Sequence, residues 1–123
     1  MKLSQKEEQL INYIWQLEKA YMKNLMEAYP EPKPAMTTLA TLLKRLTVKG
    51  AISFDLHGNS RQYYAVIKKE EYSSSYLKNM IKTFFQDSTS RFASFFTNNS
   101  DLNKEELQEL RNMIDDKLKK LEK

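Results

Sequence analysis

The chain has 123 residues, no cysteine, a single histidine and a formal net charge of +4. Without cysteine there are no disulfides and no thiolate chemistry, and one histidine is too few for a histidine-built metal cage or a Ser-His-Asp triad. These absences point to a binding protein and not an enzyme, and we expect neither a metal nor another cofactor.

The apolar segments are short. No apolar run approaches the roughly 20 residues that a membrane span requires, and the first ten residues lack the apolar core of a signal peptide. The sequence therefore predicts no membrane insertion. A cytoplasmic location fits the lack of cysteine.

The positive charge is concentrated in the middle of the chain. Residues 33–68 contain six lysines and arginines and one acid, Asp55, whereas the segments on either side are close to neutral. Such a basic segment predicts a polyanionic partner.

The first helix is predicted over Ser4–Leu17, where Ser4 and Glu7 have the spacing of a capping box. A second, short helix is predicted over residues 20–28. It ends before prolines 30, 32 and 34, which cannot continue a helix.

The third predicted helix, residues 36–49, organises the rest of the chain. Four leucines form one apolar stripe with the spacing i, i+3, i+4 and i+7, and Gly50 follows as a plausible helix end. Short, polar and cationic residues occupy the other side, which suits the major groove of DNA. We expect Met36, Thr37, Ala40, Thr41 and Lys44 to face the bases, and Thr38 and Arg45 to contact phosphates or brace the helix. The alternative is an ordinary surface helix.

Two strands are predicted next, at residues 51–56 and 62–67, with a turn at His57–Ser60. A lone hairpin is marginal in water, so it must pack on the helices. Asn59, Ser60 and Arg61 lie at its tip. Contact with the DNA backbone is one interpretation of these residues, and a solvated turn is the other.

Three further helices are predicted from Glu70 onward, and their apolar faces are too large for a segment of this length to bury alone. We expect a second copy of the chain to cover them. The alternative is an aromatic-lined ligand pocket. The residues predicted for dimerisation are Tyr76, Met80, Phe84, Phe92, Phe95, Phe96, Leu107, Leu110, Ile114 and Leu121.

The order of elements predicts a mainly α protein with a small β-hairpin. Residues 1–69 have the topology of a winged helix-turn-helix DNA-binding domain, and residues 70–123 are expected to form a three-helix dimerisation domain. Since fold alone does not fix function, a winged-helix protein–protein adaptor remains the alternative.

Four stretches resemble the BlaI/MecI group of penicillinase and methicillin-resistance repressors: SQKEEQLINYIW, TTLATLLKRLTVKGAI, SRQYYAVI and DLNKEELQELRNMI. The resemblance implies a homodimer that represses transcription from an inverted-repeat operator in double-stranded DNA. It also implies release when a membrane sensor protease, acting indirectly, leads to cleavage in the tail. The aligned bond here is Phe95-Phe96, without the asparagine that precedes it in the well-known members. The family also often has a longer polar side chain where Ala40 stands.

Overall fold

Six helices and three strands make up residues 1–122, the part of the chain that the structure, a computed structural model, describes. The contacts divide the chain into two units, one formed by Met1–Tyr76 and one that begins at Leu77. The elements in chain order are α1 (Gln5–Leu17), β1 (Lys19–Tyr21), α2 (Met22–Ala28), α3 (Met36–Val48), β2 (Ile52–His57), β3 (Ser60–Ala65), α4 (Lys69–Phe84), α5 (Thr89–Asn99) and α6 (Lys104–Leu121).

The first unit is a winged helix with a three-stranded antiparallel sheet in the order β1-β3-β2. The predicted hairpin is β2 and β3, and the additional strand β1 pairs Ala20 with Tyr63. The prediction that the second helix begins at residue 20 is therefore wrong. Glu18 ends α1 with a positive φ of 68°, and the chain then runs along β3 before α2 starts at Met22.

The core of this unit lies between the three helices and the sheet. Leu39, Leu43 and Leu46 of α3 are at most 1% exposed, so the predicted leucine stripe is buried against α1, α2 and the strands. Gly50 follows the helix with a φ of 79°, the left-handed conformation that glycine adopts at little cost. Burial of one side of α3 fixes which residues its other side presents to solvent.

The second unit contains the end of α4 together with α5 and α6. Asn103 caps α6 through a reciprocal capping box with Glu106. Phe85 lies at the centre of an aromatic cluster, with its ring 5.6 Å from that of Phe92 and 5.4 Å from that of Phe95. Even so, no residue of α4, α5 or α6, all of which the structure describes, is buried. Within residues 1–122, every helix is too short or too polar to cross a membrane.

Candidate nucleic-acid interface

The solvent face of α3 carries all seven residues of this helix that are predicted to contact DNA. Met36 is 66% exposed, and the six others on this face are exposed as well, while the leucine stripe on the opposite side is buried. The structure therefore brings together, on one face of one helix, Met36, Thr37, Thr38, Ala40, Thr41, Lys44 and Arg45.

Thr41 has a defined orientation on this face. Its hydroxyl donates a hydrogen bond of 2.9 Å to the carbonyl oxygen of Thr37, one turn earlier. Because the hydroxyl proton is used within the helix, the oxygen of Thr41 is left to accept, as an amino group on a base edge would require. Thr47, at the other end of α3, makes the same kind of bond to Leu43 at 2.7 Å.

Two cations of the basic segment are used inside the protein. Lys33 Nζ donates to the carbonyl oxygens of Tyr29 (2.6 Å) and Met26 (3.0 Å) and so caps the end of α2. Lys49 Nζ lies 2.6 Å from the carboxylate of Glu7, the one ion pair found among the described residues. The net charge of residues 33–68 therefore overstates the number of cations that are available to bind a polyanion. The exposed cations of α3 are Lys44 and Arg45.

The wing is formed by β2 and β3. The pairing of His57 with Ser60 leaves a two-residue turn, Gly58 and Asn59, with Gly58 at a φ of 65°. Ser60 and Arg61, assigned to the tip from the sequence, are the first residues of β3. The guanidinium carbon of Arg61 lies 4.4 Å from the centre of the Phe54 ring, a cation–π contact that holds this exposed cation in place.

A groove of about 580 Å³ separates the wing from the start of α2. Lys23 and Asn24 line one side, and both are exposed. His57 and the three predicted wing residues, Asn59, Ser60 and Arg61, line the other side. No local signal connects Lys23 with the wing, because the two come together through the pairing of β1 with β3.

The predicted dimerisation residues lie on α4, α5 and α6. Seven are exposed, among them Phe84 (70%), Ile114 (60%) and Leu121 (69%). Met80, Phe92 and Leu110 are half-buried within the chain itself. The bond between Phe95 and Phe96 lies inside helix α5.

The comparison with known proteins bears on this arrangement of elements. The profile of the penicillinase repressor family matches residues 3–116. The chain belongs to the penicillinase repressor family. It is similar to the methicillin resistance regulatory protein MecI of Staphylococcus aureus strain N315 and of Staphylococcus epidermidis, with 28% identity over 116 residues and 94% of each chain covered. The MecI protein of Mammaliicoccus sciuri is 27% identical over the same length and coverage.

Membership of the penicillinase repressor family confirms the resemblance seen in the sequence and the winged-helix fold. The protein is a transcriptional repressor of the BlaI/MecI type. Members of this family are DNA-binding regulators and not enzymes, which confirms the prediction from the composition. No group of three metal-ligating histidine, aspartate or glutamate side chains occurs within residues 1–122.

Proposed function

We propose that this repressor acts as a homodimer that places one α3 helix in the major groove of each half of an inverted-repeat operator. The observation that supports this proposal is the solvent face of α3. It carries threonines, one alanine and two cations and no carboxylate, and it is backed by a fully packed leucine stripe. A helix of this kind meets base edges closely without electrostatic repulsion from phosphates.

The residues of this face are assigned two roles. Met36, Thr37, Ala40, Thr41 and Lys44 face the bases, where the oxygen of Thr41 accepts from a base amino group and Lys44 donates to guanine. Thr38 and Arg45 contact phosphates and fix the register of the helix without reading sequence. Ala40 is the smallest of these side chains, so it lets the backbone of α3 come close to a base.

The wing and the start of α2 contact the DNA backbone in this proposal. Arg61, held against the ring of Phe54, and Lys23 both line the groove. Cations on both sides of a groove suit one phosphodiester strand. Asn59 and Ser60 add neutral donors at the same place. These contacts position the protein on the duplex.

The apolar surface of α4 to α6 is the proposed dimer interface. Exposed leucine, isoleucine and phenylalanine side chains on all three helices are more than a monomer normally leaves in water. Burial against a second copy satisfies this surface and holds two recognition helices at a fixed separation. Dimerisation then gives the second half-site a high effective concentration. The DNA-binding domain, residues 1–69, and the dimerisation domain, residues 70–123, thus have separate tasks.

Release from DNA is proposed to result from a signal that acts on the second domain. Proteolysis between Phe95 and Phe96, started indirectly by a membrane sensor protease, is one such signal. Because this bond lies within α5, the helix must first unwind locally to present an extended backbone. Opening of the interface removes the linkage between the half-sites and leaves α3 unchanged.

The test is equilibrium binding of the full chain to its own upstream DNA, with Thr41→Ala and Lys44→Ala variants. Each variant is expected to lose about tenfold in affinity, since a base contact contributes roughly 1–3 kcal/mol. Thr47→Ala is the matched control for Thr41→Ala, because it removes the same type of hydroxyl bond elsewhere on α3. Lys119→Ala controls for loss of a charge. Equal losses of affinity in the variants and the controls would contradict the assignment of this face to the bases. Binding to a protein partner with an affinity that does not depend on salt would favour the adaptor alternative.

A further inference from the structure

The first two turns of α3 present methyl groups on the solvent face of the helix. Met36, Thr37, Ala40 and Thr41 are all exposed, and their spacing of i, i+1, i+4 and i+5 makes them neighbours on one side of α3. We call these four residues the methyl patch. None of them carries a charge, and the first cation of this face, Lys44, follows about one turn later.

The methyl groups of this patch have little freedom to lose on binding. The hydroxyl of Thr41 donates a 2.9 Å hydrogen bond to the carbonyl oxygen of Thr37, which holds the Thr41 side chain, and with it the Cγ2 methyl, in one rotamer. Ala40 contributes a Cβ methyl that has no rotamer at all. Met36 is 66% exposed, so its thioether end gains from contact with an apolar group.

The other side chains of α3 leave thymine as the base that this patch can recognise. The helix contains no asparagine or glutamine, which pair with adenine, and no aspartate or glutamate, which accept from cytosine. Lysine and arginine, present as Lys44 and Arg45, are the partners of guanine. The C5-methyl of thymine is the apolar group that the major groove presents, and apolar side chains recognise it by contact.

The dimensions of the methyl patch match two successive base pairs. From Met36 to Ala40 the helix rises by about 6 Å, at about 1.5 Å per residue, and neighbouring bases of one strand are about 3.4 Å apart along the duplex. A T·A pair also presents the adenine amino group in the major groove. The oxygen of Thr41 can accept from that group, because its proton is already bonded within the helix.

We infer that the methyl patch recognises thymine by its C5-methyl group, and that each operator half-site presents one or two T·A pairs to Met36, Ala40 and Thr41. The inference rests on the proposed function, since it requires α3 in the major groove, and it adds the identity of the bases. Ala40 is the smallest side chain of the patch and lets the methyl groups beside it reach the base. A uracil in place of thymine keeps the same hydrogen-bonding groups but lacks the methyl, so it is bound more weakly.

The experiment replaces the thymines of the upstream operator by deoxyuridine, one symmetric pair at a time, and measures the affinity of the full-length protein. We expect a loss of about tenfold at one or two of these positions, because burial of one methyl group supports a factor of about three to four in each half-site. We call the ratio of affinities for the thymine and the uracil operator the uracil penalty.

Variants of Thr41 separate its methyl from its hydroxyl. Thr41→Ser removes the methyl and retains the hydroxyl, so we expect about tenfold weaker binding to the thymine operator and no uracil penalty at one position. Thr41→Val retains methyl branches and removes the hydroxyl, so its uracil penalty should persist. Met36→Ala tests the other end of the patch in the same way.

Thr47→Ser is the matched control. It removes the same methyl from another threonine of α3, one whose hydroxyl bonds at 2.7 Å to the carbonyl oxygen of Leu43 near the far end of the helix. Its affinity and its uracil penalty should equal those of the wild type.

Two results would overturn the inference. One is a wild-type affinity that changes by less than about twofold at every uracil position, a smaller effect than burial of one methyl group supports. The other is a uracil penalty that persists unchanged in both Thr41→Ser and Met36→Ala. Failure of the proposed function is distinguishable, because the wild-type protein would then bind the thymine operator no better than a scrambled duplex.

Discussion

Lys49 Nζ lies 2.6 Å from Oε1 of Glu7, which ties the residue at the end of α3 to the first turn of α1. The Glu7 carboxylate is 2% exposed and the Lys49 side chain is 37% exposed, so the pair has one buried and one solvated member. The same oxygen of Glu7 accepts from the backbone amide of Ser4 at 2.7 Å, while Oε2 has no hydrogen-bond partner in the protein. Lys49 is therefore the main source of compensation for a buried negative charge.

Loss of the ion pair between Lys49 and Glu7 should destabilise the first unit. We expect Lys49→Met to lower the free energy of unfolding by about 1–3 kcal/mol, because it leaves a buried carboxylate without its ion-pair partner. Chemical denaturation measures the change. Lys44→Met, an exposed lysine of the same helix, is the matched control and should lie within about 0.5 kcal/mol of the wild type. If the two variants were equally stable, Glu7 would not depend on Lys49.

The same pair predicts a dependence of stability on pH. Burial raises the pKa of Glu7, but the hydrogen bonds from Lys49 and Ser4 outweigh it, and the net pKa lies below the ordinary value of 4.5. A carboxyl group whose pKa is lowered by folding stabilises the protein above its unfolded pKa, and this stabilisation is lost as the pH falls through the folded pKa. Acid titration of the free energy of unfolding should therefore show a steeper decline below pH 4.5 in the wild type than in Glu7→Gln. Parallel curves would contradict the lowered pKa.

Substitution of the cations that line the groove beside the wing should weaken binding to all DNA sequences equally, by an amount that depends on salt. We expect Arg61→Ala and Lys23→Ala each to weaken binding to operator and non-operator DNA by similar factors, because phosphate contacts carry no sequence information. Each substitution should reduce the slope of log affinity against log salt by about one. A salt series on both DNAs checks this, with Lys119→Ala as the control for charge. If either variant lost affinity for operator DNA only, the substituted residue would contact bases and not phosphates.

A charge introduced among the exposed apolar side chains of α6 should disrupt the dimer. Ile114 is 60% exposed, and Ile114→Glu should convert the protein to a monomer, because it would place a carboxylate in an apolar interface. Operator affinity should then fall by about 100-fold through loss of effective concentration. Asn112→Glu adds the same charge on the opposite side of α6 and should remain dimeric. Sedimentation distinguishes the two, and a dimeric Ile114→Glu would remove this surface from the interface.

The parts of the fold that the sequence predicted depend on neighbouring residues. The Ser4–Glu7 and Asn103–Glu106 capping boxes, the leucine stripe of α3 and the left-handed Gly50 all arise from signals within one or two helical turns. The exposed face of α3 followed directly from that stripe, since burying four leucines leaves only one side of the helix for solvent.

The parts that the sequence did not predict depend on residues far apart in the chain. Strand β1 forms because Ala20 pairs with Tyr63, and no periodicity can be read from three residues. Trp15 is half-buried, and both its indole hydrogen bond to Ile67 and its ring contact with Tyr72 join residues far apart in the chain. Lys33 and Lys49 contributed to the charge of the basic segment although both are bonded internally.

The most direct test of operator binding by a dimer is to measure binding of the full chain to its own upstream DNA over a series of salt concentrations. A scrambled duplex of equal length and composition serves for comparison. We expect two chains per duplex, a preference for the upstream sequence of about a thousandfold or more, and a steep loss of affinity with salt. Equal affinity for the two duplexes, or saturation with a single chain, would contradict it.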